Sequence, residues 1–222
     1  MAMELLDTAA LAVFFGCVVT YAAALRFILQ RPDRAKRGLL SIFYARWVER
    51  VANPEDSILA VQTMRNLIMS VTFLSSAMLI LLGVLIRSPE GLSDLMTFTA
   101  ETTEAAHYKM LLLFSVLLFS LSMFLLSLRQ MVRFSILIGI PRESIWRATG
   151  GRCDVDASDL RTTTFLKATN RFTFGIRGIY YGVAVMLWFI SPLAFMGASI
   201  IITALLIAHH DIRAPCPERP PV

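Results

Sequence analysis

Polar and cationic side chains recur at helical spacing in three separate parts of this chain. Gln62, Arg65 and Asn66 are three and four residues apart, which places them together on one helix surface. The guanidinium group of arginine presents N–H donors in a planar fork that matches the oxygens of a phosphate or a carboxylate. The pattern therefore suits a cationic site that holds an anion or a lipid phosphate. The predicted cluster consists of Gln62, Arg65, Asn66, Arg129, Arg133 and Arg177.

The same cluster has a simpler interpretation, which we favour. Serines recur at seven-residue intervals before Arg129, in the rows Ser115/Ser122 and Ser120/Ser127. Hydroxyl groups at such spacing form hydrogen bonds between packed membrane helices. Arginines at the ends of membrane spans commonly mark only the cytoplasmic side. The cluster would then lock helices together, and the sequence does not separate this role from ligand binding.

A second group of residues combines carboxylates with imidazoles, which bind divalent metals. Glu104 and His107 have the Glu-x-x-His spacing that places both side chains on one helix face. A single such pair arises by chance in many helices. We therefore favour an exposed acidic segment with solvated histidines over a metal site. The metal-ligand candidates are Glu101, Glu104, His107, His209 and His210.

The elements that must position these side chains are apolar helices. The chain has 222 residues and is 56% hydrophobic, above the range usual for soluble domains. A helix needs about 20 apolar residues to cross a hydrocarbon core about 30 Å thick. The sequence predicts an all-α membrane protein with one four-span domain over residues 1–208 and a disordered, proline-rich tail over 209–222. The predicted spans are 9–29, 64–86, 110–138 and 180–208.

The basic residues predict the orientation of these spans. Of the 21 Lys and Arg residues, 8 lie between Arg26 and Arg65 and 9 between Arg129 and Arg177. Basic loops stay in the cytoplasm, so we expect a bacterial inner-membrane protein with both termini on the outer side. The net charge of +5 follows from this topology, and no nucleic-acid partner is expected.

Two further patterns predict local structure on the cytoplasmic side. Leu39–Val51 places Leu40, Phe43, Trp47 and Val51 on one helix face. This amphipathic helix either lies on the membrane surface or packs on the other cytoplasmic loop. The stretch from Pro54 to Ile86 has no breaker before Gly83, so one long helix should extend beyond the bilayer.

Charged residues also limit the function classes. No Asp or Glu falls inside the predicted spans, which argues against a proton-coupled transporter or pump. Arg26 and Lys109 lie near span ends, where we expect both side chains to reach the headgroups. Pro192 should kink the fourth span or leave a carbonyl without a hydrogen-bond partner. The sequence contains no phosphate-binding glycine loop or nucleophile elbow, so it predicts no cofactor and does not favour an enzyme.

Two strings give the chain a family resemblance. One is Gln62-Thr63-Met64-Arg65-Asn66, and the other is Asn170–Tyr181, followed by Leu187-Trp188-Phe189 and Ser191-Pro192. Together they resemble the uncharacterised four-helix membrane family called domain of unknown function 599, found in bacteria and plants. The resemblance covers residues 9–208 and implies no particular activity. It implies that the family pattern includes Gln62, Arg65, Asn66, Gly175, Arg177 and Pro192.

Three functions are compatible with these patterns. The first is a structural or accessory subunit that forms a homo-oligomer or joins other membrane proteins. The alternative is a small oligomeric anion channel lined by the serine and arginine rows. A metal-dependent membrane enzyme is third. The expected partners are membrane lipids, including a bound anionic lipid, and other membrane-protein subunits.

Overall fold

The computed structural model describes residues 2–29, 36–52, 57–87, 103–140 and 157–208, and these ranges are helical with no strand. The prediction of an all-helical protein is confirmed. Three helical stretches are long and apolar enough to cross a membrane, namely Leu5–Phe27, Ile58–Arg87 and Ala106–Ile138. The fourth predicted span stays a prediction, because its apolar helix Pro192–Ala208 is shorter. The helices are α1 (Ala2–Leu29), α2 (Lys36–Val51), α3 (Ser57–Arg87), α4 (Thr103–Ile138), α5 (Ala157–Trp188) and α6 (Pro192–Leu205).

The fourth apolar segment is broken before Pro192, where the sequence predicts a kink or an unpaired carbonyl within one helix. Helix α5 ends at Trp188, and Ser191 has an extended backbone with φ −162° and ψ 134°. Pro192 begins α6, a position where its missing N–H and fixed φ cost nothing. Proline cannot continue a helix without clashing with the preceding turn. The segment is therefore two helices rather than one kinked helix.

The chain divides into two compact units, and α2, α4 and α5 contribute residues to both. Aromatic residues fill the core of the first unit. The Phe14 ring lies 5.8 Å from the Tyr181 ring and 5.3 Å from the Phe195 ring. Trp188 stacks on Phe195 at 4.8 Å, so the end of α5 packs against the start of α6. The first unit comprises Met1–Ile42, Glu90–Leu113 and Tyr180–Val222, and the second comprises Phe43–Pro89 and Phe114–Ile179.

Helix α2 packs on an aromatic cluster in the second unit. Trp47 lies 5.1 Å from Phe165, and Val48 is buried beside Phe134 and Phe165. The predicted apolar face is wrong at Phe43, which is 63% exposed, and at Leu40, which is 37% exposed. At about 100° per residue, Phe43 lies about 90° from the centre of the packed face. The face of α2 with Trp47 and Val48 therefore packs on the chain at Phe165, which belongs to the other predicted loop, as one of the two alternatives expects. Contact of Phe43 with the membrane surface stays a prediction.

Candidate functional site

Helices α4 and α5 form an antiparallel seam held by serine hydroxyls. Ser120 Oγ donates a hydrogen bond to the Gly175 carbonyl at 2.6 Å. Ser127 Oγ donates to the Ala168 carbonyl at 2.8 Å. The two serines are seven residues apart on α4, and their partners Gly175 and Ala168 are seven residues apart on α5. Two turns of α4 therefore face two turns of α5, and the two helices run in opposite directions. The buried serine row thus bonds helices together, as the simpler sequence interpretation expects.

Small residues on α5 make this seam close. A Cβ atom at Gly175 would lie 2.6 Å from the buried Phe124 ring, and one at Gly178 would lie 2.9 Å from the Ser120 Cβ. Those distances are far inside van der Waals contact. The close approach of the helices therefore requires both glycines, which explains the glycines of the Asn170–Tyr181 string without a ligand.

Arg161 closes the far end of the seam, and the sequence interpretation missed it. Its side chain is buried, with Nε 3.0 Å from the Leu137 carbonyl and an Nη atom bonded to the Ile140 carbonyl. The last carbonyls of a helix have no intrahelical partner, and a guanidinium group can satisfy two at once. The predicted third span ends at residue 138, and this end was a sign that the last carbonyls of the helix need a hydrogen-bond donor.

The predicted cationic cluster separates into two classes of side chain. Arg177 is buried, and its guanidinium carbon lies 5.5 Å from the centre of the Phe174 ring, within cation–π range. The other five side chains are exposed. With the described part of the chain, Arg65, Arg129 and Arg133 form no side-chain hydrogen bond or ion pair. The exposed members are Gln62, Arg65 and Asn66 on α3 with Arg129 and Arg133 on α4.

One of these exposed arginines, Arg65, lines a groove between α3 and α4. The groove has a volume of about 450 Å³ and two polar lining residues, Arg65 and Ser135. The Ser135 hydroxyl already donates to the Val132 carbonyl at 2.9 Å. Arg65 therefore supplies the groove's free N–H donors. The remaining lining residues are Ala60, Val61, Met64, Ile68, Met69 and Ile138.

In the first unit, Lys109 is buried rather than extended towards headgroups, so that prediction is wrong. Its residue exposure is 1%, and Nζ lies 3.6 Å from Asp7 Oδ1 and 5.3 Å from the centre of the Trp188 ring. Trp188 Nε1 donates to the same Asp7 oxygen at 2.8 Å. The ion pair with Asp7 stabilises the Lys109 ammonium in its buried position, because a buried charge needs an opposite charge and hydrogen bonds. Asp7 itself lies within the apolar stretch Leu5–Phe27, which starts earlier than the predicted span.

The candidate metal ligands fall largely outside the described ranges. Glu101, His209 and His210 belong to the segments that are not described. Glu104 and His107 lie one turn apart at the start of α4, and the His107 side chain is exposed. Within the described ranges, no three His, Cys, Asp or Glu residues form a group that could hold a metal ion. The described helices therefore do not test the predicted metal site, which stays a prediction.

Comparison with known proteins places the chain in a family. The family model described as "Protein of unknown function, DUF599" matches residues 9–214, and the chain belongs to this family. The resemblance inferred from the two sequence strings is confirmed. No curated protein and no solved structure matches the chain.

Proposed function

We propose that this DUF599 protein is a self-assembling structural subunit of a membrane complex, with α3 as its contact helix. The supporting observation is the contrast between the buried and exposed polar groups. Ser120, Ser127, Arg161 and Lys109 all bond across helices of the same chain. The polar residues at the start of α3 instead face outward. The buried groups are thus used for packing, and the exposed groups are left for contacts beyond the chain.

The outward face of α3 has the spacing of a helix–helix interface. Two rows of exposed residues run the length of the helix at seven-residue intervals, offset from each other by four. This a/d pattern is the one by which parallel helices pack. Phe73 is the most exposed of its apolar members, at 74%. One row is Gln62, Met69, Ser76 and Gly83, and the other is Asn66, Phe73, Ile80 and Arg87.

Two features of this face favour a second copy of the chain as its partner. Side-chain amides are both donors and acceptors, so Gln62 and Asn66 can pair with their own counterparts. Among the described residues, nothing lies within 4 Å of where a Cβ at Gly83 would be, so none of them requires a glycine there. Within the chain, the α4/α5 seam uses small residues seven apart in the same way. Ser76 and Gly83 repeat that spacing on the free face.

Photo-crosslinking in native membranes tests the proposal. Phe73→Cys and Ile80→Cys are made separately in a protein without its native cysteines and labelled with a cysteine-reactive benzophenone. Both labels should give a product with the mass of two copies. Val19→Cys, on the exposed surface of α1, is the matched control and should give little dimer.

The proposal would be contradicted if labels at Phe73 and Ile80 gave only monomer. Equal dimer yields at Phe73, Ile80 and Val19 would also contradict it. Products containing a different protein at both α3 positions would keep the subunit role and replace self-assembly by hetero-assembly.

An anion channel remains a second candidate because one serine row also faces outward. Ser122 is exposed and donates to the Leu118 carbonyl of its own helix, and Ser115, Arg129 and Arg133 are exposed on the same helix. Several copies could line a pore with this face. Reconstituted protein should then conduct, with anion selectivity reduced by Arg129→Ala. Bilayers that stay electrically silent across salts and voltages would exclude the channel and leave the structural role.

A further inference from the structure

The groove between α3 and α4 has the chemistry of a lipid site rather than of a site for a small ion. Six of its eight lining residues are apolar or alanine, and they continue along α3 from Ala60 to Met69. Apolar walls of this kind bind an acyl chain, whereas an inorganic anion gains nothing from them. The single charged lining residue, Arg65, suits a phosphate.

The position of Arg65 along α3 agrees with the depth of a lipid phosphate. No charged residue lies between Arg65 and Arg87. At 1.5 Å per residue these two arginines are about 33 Å apart along the helix. The hydrocarbon core is about 30 Å thick, so one arginine lies at each headgroup level. The groove then extends beside Arg65, where headgroup and acyl chain meet.

The Arg65 side chain is also available for a ligand. It is exposed, and it forms no hydrogen bond or ion pair with the described residues. Arg161 and Arg177, in contrast, are buried within the chain. Arg65 is therefore the arginine that combines a free guanidinium group with an apolar groove.

We propose that the α3/α4 groove binds one anionic phospholipid, with its phosphate on Arg65 and an acyl chain along Ile68 and Met69, on the hydrocarbon side of Arg65. An anionic headgroup is favoured over a zwitterionic one, because the trimethylammonium of phosphatidylcholine would meet no acidic group among the lining residues. All of the groove's lining residues come from one copy, so the site needs no second copy, although Met69 also belongs to the α3 contact face proposed above.

Native mass spectrometry of purified protein in detergent, titrated with phosphatidylglycerol or phosphatidylcholine, measures the binding. The wild type should bind one phosphatidylglycerol at least about fivefold more tightly than phosphatidylcholine, the factor that one headgroup-level arginine supplies. Arg65→Gln should remove this preference, and Arg65→Lys should keep part of it, because lysine retains the charge but not the fork.

Arg87→Gln is the matched control. It removes one exposed arginine from the same helix at the other headgroup level, away from the groove, and should leave the preference unchanged. A second variant, Met69→Trp, should weaken binding of both lipids by filling the groove with Arg65 intact.

Equal binding of the two lipids by the wild type would overturn the site, as would an unchanged preference in Arg65→Gln. If Arg65→Gln and Arg87→Gln reduced the preference for phosphatidylglycerol equally, general surface electrostatics would explain the binding and the groove would not be a specific site. Because the titration is read on the monomer, failure of the lipid site and failure of self-assembly give separate results.

Discussion

At the residue scale, the α4/α5 seam depends on the absence of a side chain at Gly178. A methyl group there would meet both the Cβ and the backbone Cα of Ser120, at 2.9 and 3.3 Å. Helix backbones cannot relax as a flexible side chain does, so the two helices must separate. Overpacking of this kind typically costs about 1–3 kcal/mol.

We therefore expect Gly178→Ala to lower the thermal unfolding temperature in detergent, measured by circular dichroism. Gly16→Ala is the matched control, because a Cβ at Gly16 meets nothing within 4 Å. Alanine is also the better helix former, so the control should be neutral or slightly more stable. Equal unfolding temperatures for the two variants would show that the seam is looser than described.

The second residue-scale prediction concerns the pair of Lys109 and Asp7. Removing one member of a buried ion pair leaves an uncompensated charge, at a cost of about 3 kcal/mol. Lys109→Met and Asp7→Asn should each lower the free energy of unfolding, and the double variant should lose less than the sum. Additive losses in this double-mutant cycle would mean that the two charges do not interact. Trp188→Phe gives a third measurement, because it removes the indole N–H that donates to Asp7 and keeps an aromatic ring, smaller than the indole, beside Phe195 and Lys109.

At the scale of whole elements, Arg161 determines how well the end of α4 is ordered. Arg161→Gln removes a guanidinium that bonds the Leu137 carbonyl in the last turn of α4 and the Ile140 carbonyl just after the helix, and hydrogen bonds to charged groups contribute about 1.5–3 kcal/mol each. We expect faster amide exchange in the last turn of α4, measured by hydrogen–deuterium exchange. Arg133→Gln removes an exposed arginine from the same helix and should leave the exchange unchanged. Slow exchange retained in Arg161→Gln would contradict the capping role.

Helix α2 provides the next element-scale prediction. The Trp47 ring packs against the Phe165 ring, whereas Phe43 on the same helix is exposed. Trp47→Ala should therefore release α2 from the rest of its unit and increase proteolysis near Arg46 and Arg50. Phe43→Ala should leave the proteolysis rate in detergent unchanged. Similar rates in both variants would indicate that the ring contacts do not hold α2.

How far the sequence predicts this structure depends on the range of each interaction. Local signals predicted most of the helices: three of the four predicted spans coincide with membrane-length helices, and Pro192 marked the disturbed point of the fourth, where the structure has a break rather than a kink. Partners distant in sequence were not predicted. The Asp7–Lys109 pair joins residues 102 positions apart by their numbers, and no periodicity relates the two. The arginine cluster also looked uniform in sequence, because spacing along a helix does not reveal that Arg177 is buried and Arg65 exposed.

At the scale of the whole molecule, the account predicts an effect of bulk at Gly83. This glycine is exposed on α3, and no atom of the described residues lies within 4 Å of where its Cβ would be. Gly83→Leu should keep the monomer folded but prevent close approach of two α3 helices. The crosslinked dimer at Phe73 should then decrease, while Gly16→Leu on α1 should leave it unchanged. Undiminished crosslinking in Gly83→Leu would place the contact on another face.

The most direct test of self-assembly is native mass spectrometry of the protein extracted from its own membrane with the surrounding lipid. The account predicts a discrete mass equal to a whole number of copies, and a shift towards the single copy in Gly83→Leu. Wild-type protein found only as a single copy, with no second protein attached, would contradict the structural-subunit proposal.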